Sequence, residues 1–315
     1  MSPTVNPKRR GAPDLAVQVG PLRFRNPVIA ASGTFGYGTE FDPYFDLEEI
    51  GGFVTKGLSL LPRPGNAPPR TCETACGMLN AIGLANVGVD AFITDKLPFL
   101  EKQKTKIIVN VAGSKASEYI EVCRRLNDCP RADMIELNIS CPNVDEGGIE
   151  IGTNPAMTER IVADVRRVFS RPLIAKLTPN VTDVTTVAKA AEAGGADALS
   201  LINTLVGTSI DINTWRPRLT NNKGGLSGPA IKPIALAMVD KVHNCTNLPL
   251  IGIGGIANAS DVIEFLLVGA TAVQIGTELF VRPDAPVQIA EDLRTYMRGK
   301  KLTSISELVG KVRKY

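Results

Sequence analysis

Short apolar runs recur along the chain, each followed by a stretch rich in Gly, Pro or Asn and then by a segment with helical spacing of its apolar positions. The runs at 28–32, 52–56, 106–111, 134–139, 173–177, 198–203, 250–254 and 272–276 are predicted as strands. IIVNV, LIAKL and LIGIG show little alternation, the pattern of parallel strands covered on both faces. Helices are predicted at 116–126, 157–169, 184–193, 231–242, 259–268 and 285–297. Eight such units predict an α/β fold, a (β/α)8 TIM barrel with insertions. Ahead of the first strand, LAVQVGPLRFRNP reads as a hairpin turning at Gly20-Pro21, placed as a plug under the barrel. No linker or low-complexity stretch divides the chain. A single barrel domain over 1–315 is expected, with 1–12 as a flexible tail.

Two connections stand out. Residues 57–88 follow the second strand and residues 204–228 follow the sixth, so both lie on the C-terminal face, where barrel enzymes build their sites. Connections this long are uncommon unless they serve a function.

Composition narrows the function classes. The chain has 315 residues, with 35 Lys and Arg against 32 Asp and Glu, a net charge of +3. That excess is too small to argue for nucleic acid or an anionic membrane. Hydrophobic residues at 44% and charged residues at 21% exclude a disordered chain. No window reaches the roughly 18 consecutive apolar residues of a membrane span. The opening MSPTVNPKRRGAPD carries a basic pair without an apolar run, so an export signal is not expected. The six cysteines, Cys72, Cys76, Cys123, Cys129, Cys141 and Cys245, are therefore expected as reduced thiols in a cytoplasm. His243, the single histidine, rules out a multi-histidine metal centre, and no metal is expected.

Several predicted strands end in a polar residue that a pure core would avoid: Lys56, Asn110, Asn138, Lys176 and Asn203. Burying an unpaired amide or ammonium costs several kcal/mol in order of magnitude. Five at corresponding positions point to one shared polar ligand over the barrel mouth. Lysines there would stabilise negative charge on a flat, electron-rich ring, and amides would hold its polar edges. Ile253-Gly254-Gly255-Ile256 after the seventh strand and Ile275-Gly276-Thr277 after the eighth stand where this fold builds its phosphate cradle. The G-x-G-x-x-G spacing of a dinucleotide fold is absent.

The fourth predicted strand runs into ELNISCPNVDEGG, which sets Cys141 at the rim of the barrel. Free cysteines are often buried filler. At this position the thiol is a candidate general base, provided its pKa is lowered or the substrate is acidified in the transition state. His243 reads as a surface or helix-end residue, Asp145-Glu146 as solvated acids, and Trp215 equally as a partner contact or local packing.

These residues occur in stretches that resemble the class 1B dihydroorotate dehydrogenase catalytic subunits over essentially the whole chain: ASGTFGYG (31–38), VTKG (54–57), NAIGLAN (80–86), NVAG (110–113), ELNISCPNV (136–144), IAKLTPN (174–180), LINT (201–204), GGLSGPAIKPIAL (224–236), IGIGGI (251–256) and QIGT (274–277). The resemblance implies FMN at the barrel mouth and oxidation of dihydroorotate to orotate in pyrimidine synthesis. It implies FMN contacts from Ser32, Lys56, Gly57, Asn110, Asn138, Lys176, Ile202, Gly228, Gly254, Gly255, Gly276 and Thr277. It implies substrate contacts from Lys56, Asn80, Ala81, Ile82, Gly83, Leu84, Asn138, Asn203 and Thr204, with Cys141 as the base and hydride transfer to flavin N5. It also implies a homodimer, assembled into a heterotetramer with an electron-transfer subunit that carries FAD and a [2Fe-2S] cluster and passes electrons to NAD. The competing readings are a fumarate-using class 1A homodimer, a flavoenzyme of the dihydropyrimidine dehydrogenase type, and a non-catalytic binding barrel.

Overall fold

The computed structural model describes residues 12–139 and 148–315. Eight parallel strands close into a barrel. We number these barrel strands alone: β1 (Val28–Ala30), β2 (Gly52–Val54), β3 (Lys106–Val111), β4 (Met134–Asn138), β5 (Leu173–Leu177), β6 (Ala198–Leu201), β7 (Leu250–Ile253) and β8 (Ala270–Ile275). Each pairs with its sequence neighbours, and β8 returns to β1 with Gln274 opposite Ile29. Every residue of β4 and of β5 is buried, which explains their lack of alternation. One face of each strand meets the surrounding helices and the other fills the barrel.

The predicted β5 and β3 agree with the structure to the residue. β1, β2 and β6 stop about two residues earlier than their apolar runs suggest, because the chain there leaves the ladder for other partners. The Ser32 hydroxyl donates to the Thr55 carbonyl at 2.8 Å, the Lys56 N–H to the Gly36 carbonyl at 2.7 Å, and the Asn203 N–H to the Leu177 carbonyl at 3.1 Å.

Helices Ala116–Asn127, Pro155–Arg166, Val184–Ala193, Lys232–His243, Ala259–Leu267 and Ala285–Lys300 surround the barrel. The second begins earlier than predicted because Asn154 caps it, accepting from the Met157 N–H, with Pro155 in the first turn. Asn258 and Asp261 form a reciprocal capping box at the start of Ala259–Leu267. The first unit has no α-helix, only a short 3-10 turn at Leu47–Glu49.

Val17–Val19 pairs antiparallel with Leu22–Phe24, confirming the hairpin at the N-terminus. Its turn residue Gly20 packs against Asp197 and the Met134 side chain, beside the N-terminal ends of β6 and β4. The hairpin therefore closes the bottom of the barrel, and Val19 and Phe24 are fully buried there.

The two long insertions are not separate loops. Leu205–Gly207, Gly224–Ser227, Gly77–Asn80 and Thr71–Thr74 form one antiparallel sheet in that order. Leu79 stands opposite Leu226, and Leu79, Ala81 and Leu219 bury one another in a small second core. Each insertion folds back on itself, Thr71–Thr74 on Gly77–Asn80 and Leu205–Gly207 on Gly224–Ser227, and the pairing of Gly77–Asn80 with Gly224–Ser227 joins the two. The sheet stands over the C-terminal mouth of the barrel.

Candidate active site

A cavity of about 290 Å³ opens at the barrel mouth beneath this sheet. Of the residues expected to hold a ring and a phosphate, Ser32, Lys56, Gly57, Asn138, Lys176 and Ile202 line it on the barrel side. Gly228, Gly254, Gly255, Gly276 and Thr277 line it as well, with Gly255 packed against Gly228. Of the expected substrate contacts, Asn80, Ile82, Leu84, Asn203 and Thr204 also reach it. Three expected residues do not line the cavity. Ala81 is buried in the small core under the sheet, and Gly83 turns against Asn66. Asn110 is fully buried deeper in the barrel, where its Nδ2 donates to Glu136 Oε1 at 2.8 Å. Cys141, Asp145 and Glu146 lie outside the described residues.

Local structure holds these groups in place. Tyr119, fully buried on helix Ala116–Asn127, donates its hydroxyl to the Asn138 carbonyl at 2.9 Å and pins the end of β4. Asn203 Nδ2 donates to Asn138 Oδ1 at 3.3 Å, which joins the amides of β4 and of the segment after β6. Asn180 holds the next residue, its Nδ2 donating to the Thr204 carbonyl at 3.0 Å. Residues 66–82 are drawn together by Asn66, whose N–H donates to the Ile82 carbonyl and whose Nδ2 donates to the Ala81 carbonyl.

At the glycine-rich end, backbones meet without room for side chains. A Cβ on Gly255, where φ is +70°, would stand 2.8 Å from the Gly228 carbonyl oxygen. One on Gly228, where φ is +92°, would stand 2.7 Å from the Gly77 Cα. Only glycine adopts these dihedrals cheaply and lets main-chain N–H groups come this close to an anion. Beside them the Ser227 and Thr277 hydroxyls are 2.8 Å apart.

The electrostatics of the cavity are one-sided. Among the described lining residues, Lys56, Arg70 and Lys176 are charged and no Asp or Glu is present. Lys176 is tied to Glu136 below it at 3.2 Å. Lys56 and Arg70 form no ion pair among the described residues, and the guanidinium of Arg70 reaches only the Asn66 carbonyl. Burial lowers the Lys56 pKa, the positive Arg70 lowers it further, and Glu40 opposes the shift. Two cations that face one cavity with no acid among its described lining residues suit it to an anion.

Two of these residues escape sequence reasoning. Arg70 sits in an irregular insertion with no periodicity to assign it. Glu136 carried a signal: it shares its strand face with Asn138, two residues on, inside an otherwise apolar run.

The family model described as dihydroorotate dehydrogenase matches residues 14–297. The chain belongs to the dihydroorotate dehydrogenase family. Among its relatives is a protein of Pelobacter propionicus, 55% identical over 298 residues that cover 95% of this chain and 98% of the relative. Proteins of Geobacter sp. (strain M21), 54% identical with the same coverage, and of Alkaliphilus oremlandii, 50% identical over 95% of this chain and 99% of the relative, are similar. All three are named dihydroorotate dehydrogenase B (NAD(+)), catalytic subunit. The dihydroorotate dehydrogenases are oxidoreductases, and the barrel with its mouth cavity is the architecture expected from the sequence. Among the described residues no helix is long and apolar enough to cross a membrane, and no group of three or more His, Cys, Asp or Glu could hold a metal ion.

Proposed function

We propose that this chain oxidises dihydroorotate to orotate in the cytoplasm, with FMN at the barrel mouth and Cys141 as the general base. The observation that carries this reading is the cavity itself: a glycine cradle, amides from β4, the covering sheet and the segment after β6, and the cations Lys56 and Arg70, which form no ion pair among the described residues. Asn110 Oδ1, buried without a hydrogen-bond partner, is an orphaned acceptor just behind Gly57 in the cavity wall. FMN fits this donor set, and when bound it supplies the acceptor for the hydride that leaves C6 of dihydroorotate.

The protein's own groups do the rest. The cradle of Gly228, Gly254, Gly255, Gly276 and Thr277 takes the phosphate, while Ser32, Lys56, Gly57, Asn138, Lys176 and Ile202 hold the ring. Asn80, Ile82, Leu84, Asn203 and Thr204 bind the substrate, and Lys56 attracts its carboxylate. Cys141 follows Asn138 by three residues in the chain and takes the C5 proton as thiolate. Substrate charge favours dihydroorotate over a neutral dihydropyrimidine in a site lined by Lys56 and Arg70 with no Asp or Glu among its described lining residues.

Electrons leave through a partner. The relatives are named as catalytic subunits of an NAD(+) enzyme, and this chain lacks a dinucleotide fingerprint. We therefore assign it to a homodimer whose protomers each bind a subunit carrying FAD and a [2Fe-2S] cluster, which reduces NAD. The experiment is a visible spectrum of the purified chain, followed by anaerobic addition of dihydroorotate, then dihydrouracil, fumarate or NAD. A flavin spectrum bleached by dihydroorotate, with NAD reduced only when the partner is added, is the expected result. A colourless protein, bleaching by dihydrouracil instead, or efficient fumarate turnover without a partner would overturn the assignment.

A further inference from the structure

Glu136 is the only charged side chain with no solvent exposure among the described residues, and the chemistry proposed above does not use it. Its two oxygens are fully engaged. Oε1 accepts from Asn110 Nδ2 at 2.8 Å and Lys176 Nζ at 3.2 Å; Oε2 accepts from the Ser200 hydroxyl at 2.8 Å and Gln274 Nε2 at 2.6 Å. The four donors come from β3, β5, β6 and β8, on both sides of the barrel. A group that accepts four hydrogen bonds and donates none acts as a carboxylate.

Two consequences follow from this arrangement. Because the amides of Asn110 and Gln274 turn their NH2 groups to Glu136, their oxygens point elsewhere and are buried without partners. Asn110 Oδ1 lies 3.0 Å from where a side chain on Gly57 would begin, and Gly57 lines the mouth cavity. Lys176, meanwhile, is the one cavity cation with an ion-pair partner among the described residues, held by Glu136 while it lines the cavity.

We propose that Glu136 is a positioning residue that neutralises and orients Lys176 and fixes the Asn110 amide, so that a bound flavin rests over a neutral, directed ion pair instead of a bare cation. The inference rests on the flavin reading given above. A lone ammonium beneath the ring favours the electron-rich reduced form, and a lone carboxylate disfavours it. Glu136 and Lys176 therefore act on the flavin potential with opposite signs, and together they nearly cancel.

The test measures the midpoint potential of the full-length protein loaded with FMN, by anaerobic equilibration with reference dyes. Glu136→Gln is expected to raise the ratio of reduced to oxidised flavin at a given potential at least tenfold, about 30 mV upward for a two-electron couple. Lys176→Met is expected to move it at least tenfold the other way. The double variant, which removes both charges, is expected to return within about threefold of wild type, as a compensating pair requires. Single variants that shift in the same direction or not at all, or a double variant as displaced as either single, would overturn the proposal. A single variant that fails to fold or to hold FMN supports it where the double variant succeeds, and counts against it where the double variant fails too. Wild-type protein that takes up no FMN overturns the flavin reading, and this inference with it, and is recognised by its missing visible absorption.

Discussion

Asn80 Nδ2 donates to the Gly225 carbonyl at 3.3 Å, a bond between residues 145 positions apart that fastens one insertion to the other over the barrel mouth. Asn80 also lines the cavity. The same side chain thus ties the covering sheet together and lines the cavity beneath it. Asn80→Ala is expected to leave the barrel folded and to raise the KM for dihydroorotate roughly fivefold or more, the worth of about one hydrogen bond. Amide exchange at residues 77–80 and 224–227 should quicken in the same variant. Unchanged kinetics and unchanged exchange would show that the bond does neither job.

Cys141→Ala should keep its flavin content and thermal stability while flavin reduction by dihydroorotate slows by about 10²–10⁴-fold, the usual contribution of a general base. Cys141→Ser should be nearly inactive near neutral pH, because a hydroxyl ionises far less readily than a thiol. In wild type the reduction rate should rise with pH as the thiol deprotonates. Stopped-flow reduction of the alanine variant at a near wild-type rate would dismiss Cys141 as the base.

The Lys56 pKa is lowered, by burial first and then by Arg70. Lys56 carries its charge below its pKa and loses it above, so the affinity for an anionic substrate should fall on the alkaline side, at a lower pH than an ordinary lysine would cause. Arg70→Gln removes one cause of the lowering, so this alkaline limb should move to higher pH. The limb is read from KM for dihydroorotate against pH, in wild type and variant. A limb that stays in place, or moves to lower pH, contradicts the assignment.

Arg70→Gln should also raise the KM for dihydroorotate by about tenfold near neutrality, since a charge-assisted contact is worth about 1.5–3 kcal/mol. Binding of a neutral dihydropyrimidine should change little. Titration of the flavin spectrum with orotate at low and high salt measures this directly, and the variant should show the weaker salt dependence. Equal losses for charged and neutral ligands would assign Arg70 to the structure of the insertion alone.

Gly255→Ala places a methyl group 2.8 Å from the Gly228 carbonyl oxygen at a positive φ. The strain of such a residue is on the order of 1–3 kcal/mol. The variant should melt at a lower temperature and release FMN more readily, while Gly299→Ala, whose methyl would meet nothing within 4 Å, should do neither. Differential scanning and fluorescence of released flavin separate the two outcomes.

The barrel was legible because β3, β4, β5 and β7 are buried on both faces and therefore read as mostly apolar runs without alternation, with amphipathic helices between them. Lys56, Asn110, Asn138, Lys176 and Asn203 stood out for the same reason: a polar residue at the end of an apolar strand needs a partner. Glu136 broke the same rule, yet its partners come from four strands that are distant in sequence, so its role emerges only once the barrel closes. The covering sheet was hidden for a related reason, since Gly77–Asn80 and Gly224–Ser227 are short and contain glycine, and the pairing that joins them spans two insertions distant in sequence.

What the chain determines by itself is local: the period of its apolar positions, the caps at Asn154 and Asn258, the turn at Gly20-Pro21, and the glycines that keep side chains out of the glycine-rich part of the cavity. Those features follow from near-neighbour sterics and hydrogen bonding, which act over a few residues. Tertiary structure decided the rest. It buried Asn110 beneath the cavity instead of on its wall, gave Lys176 a counter-ion, and left Lys56 and Arg70 facing one space with no acid among its described lining residues. Electrostatic partners are set by distance in space, and closing the barrel brings residues 110, 136, 176, 200 and 274 around a single carboxylate.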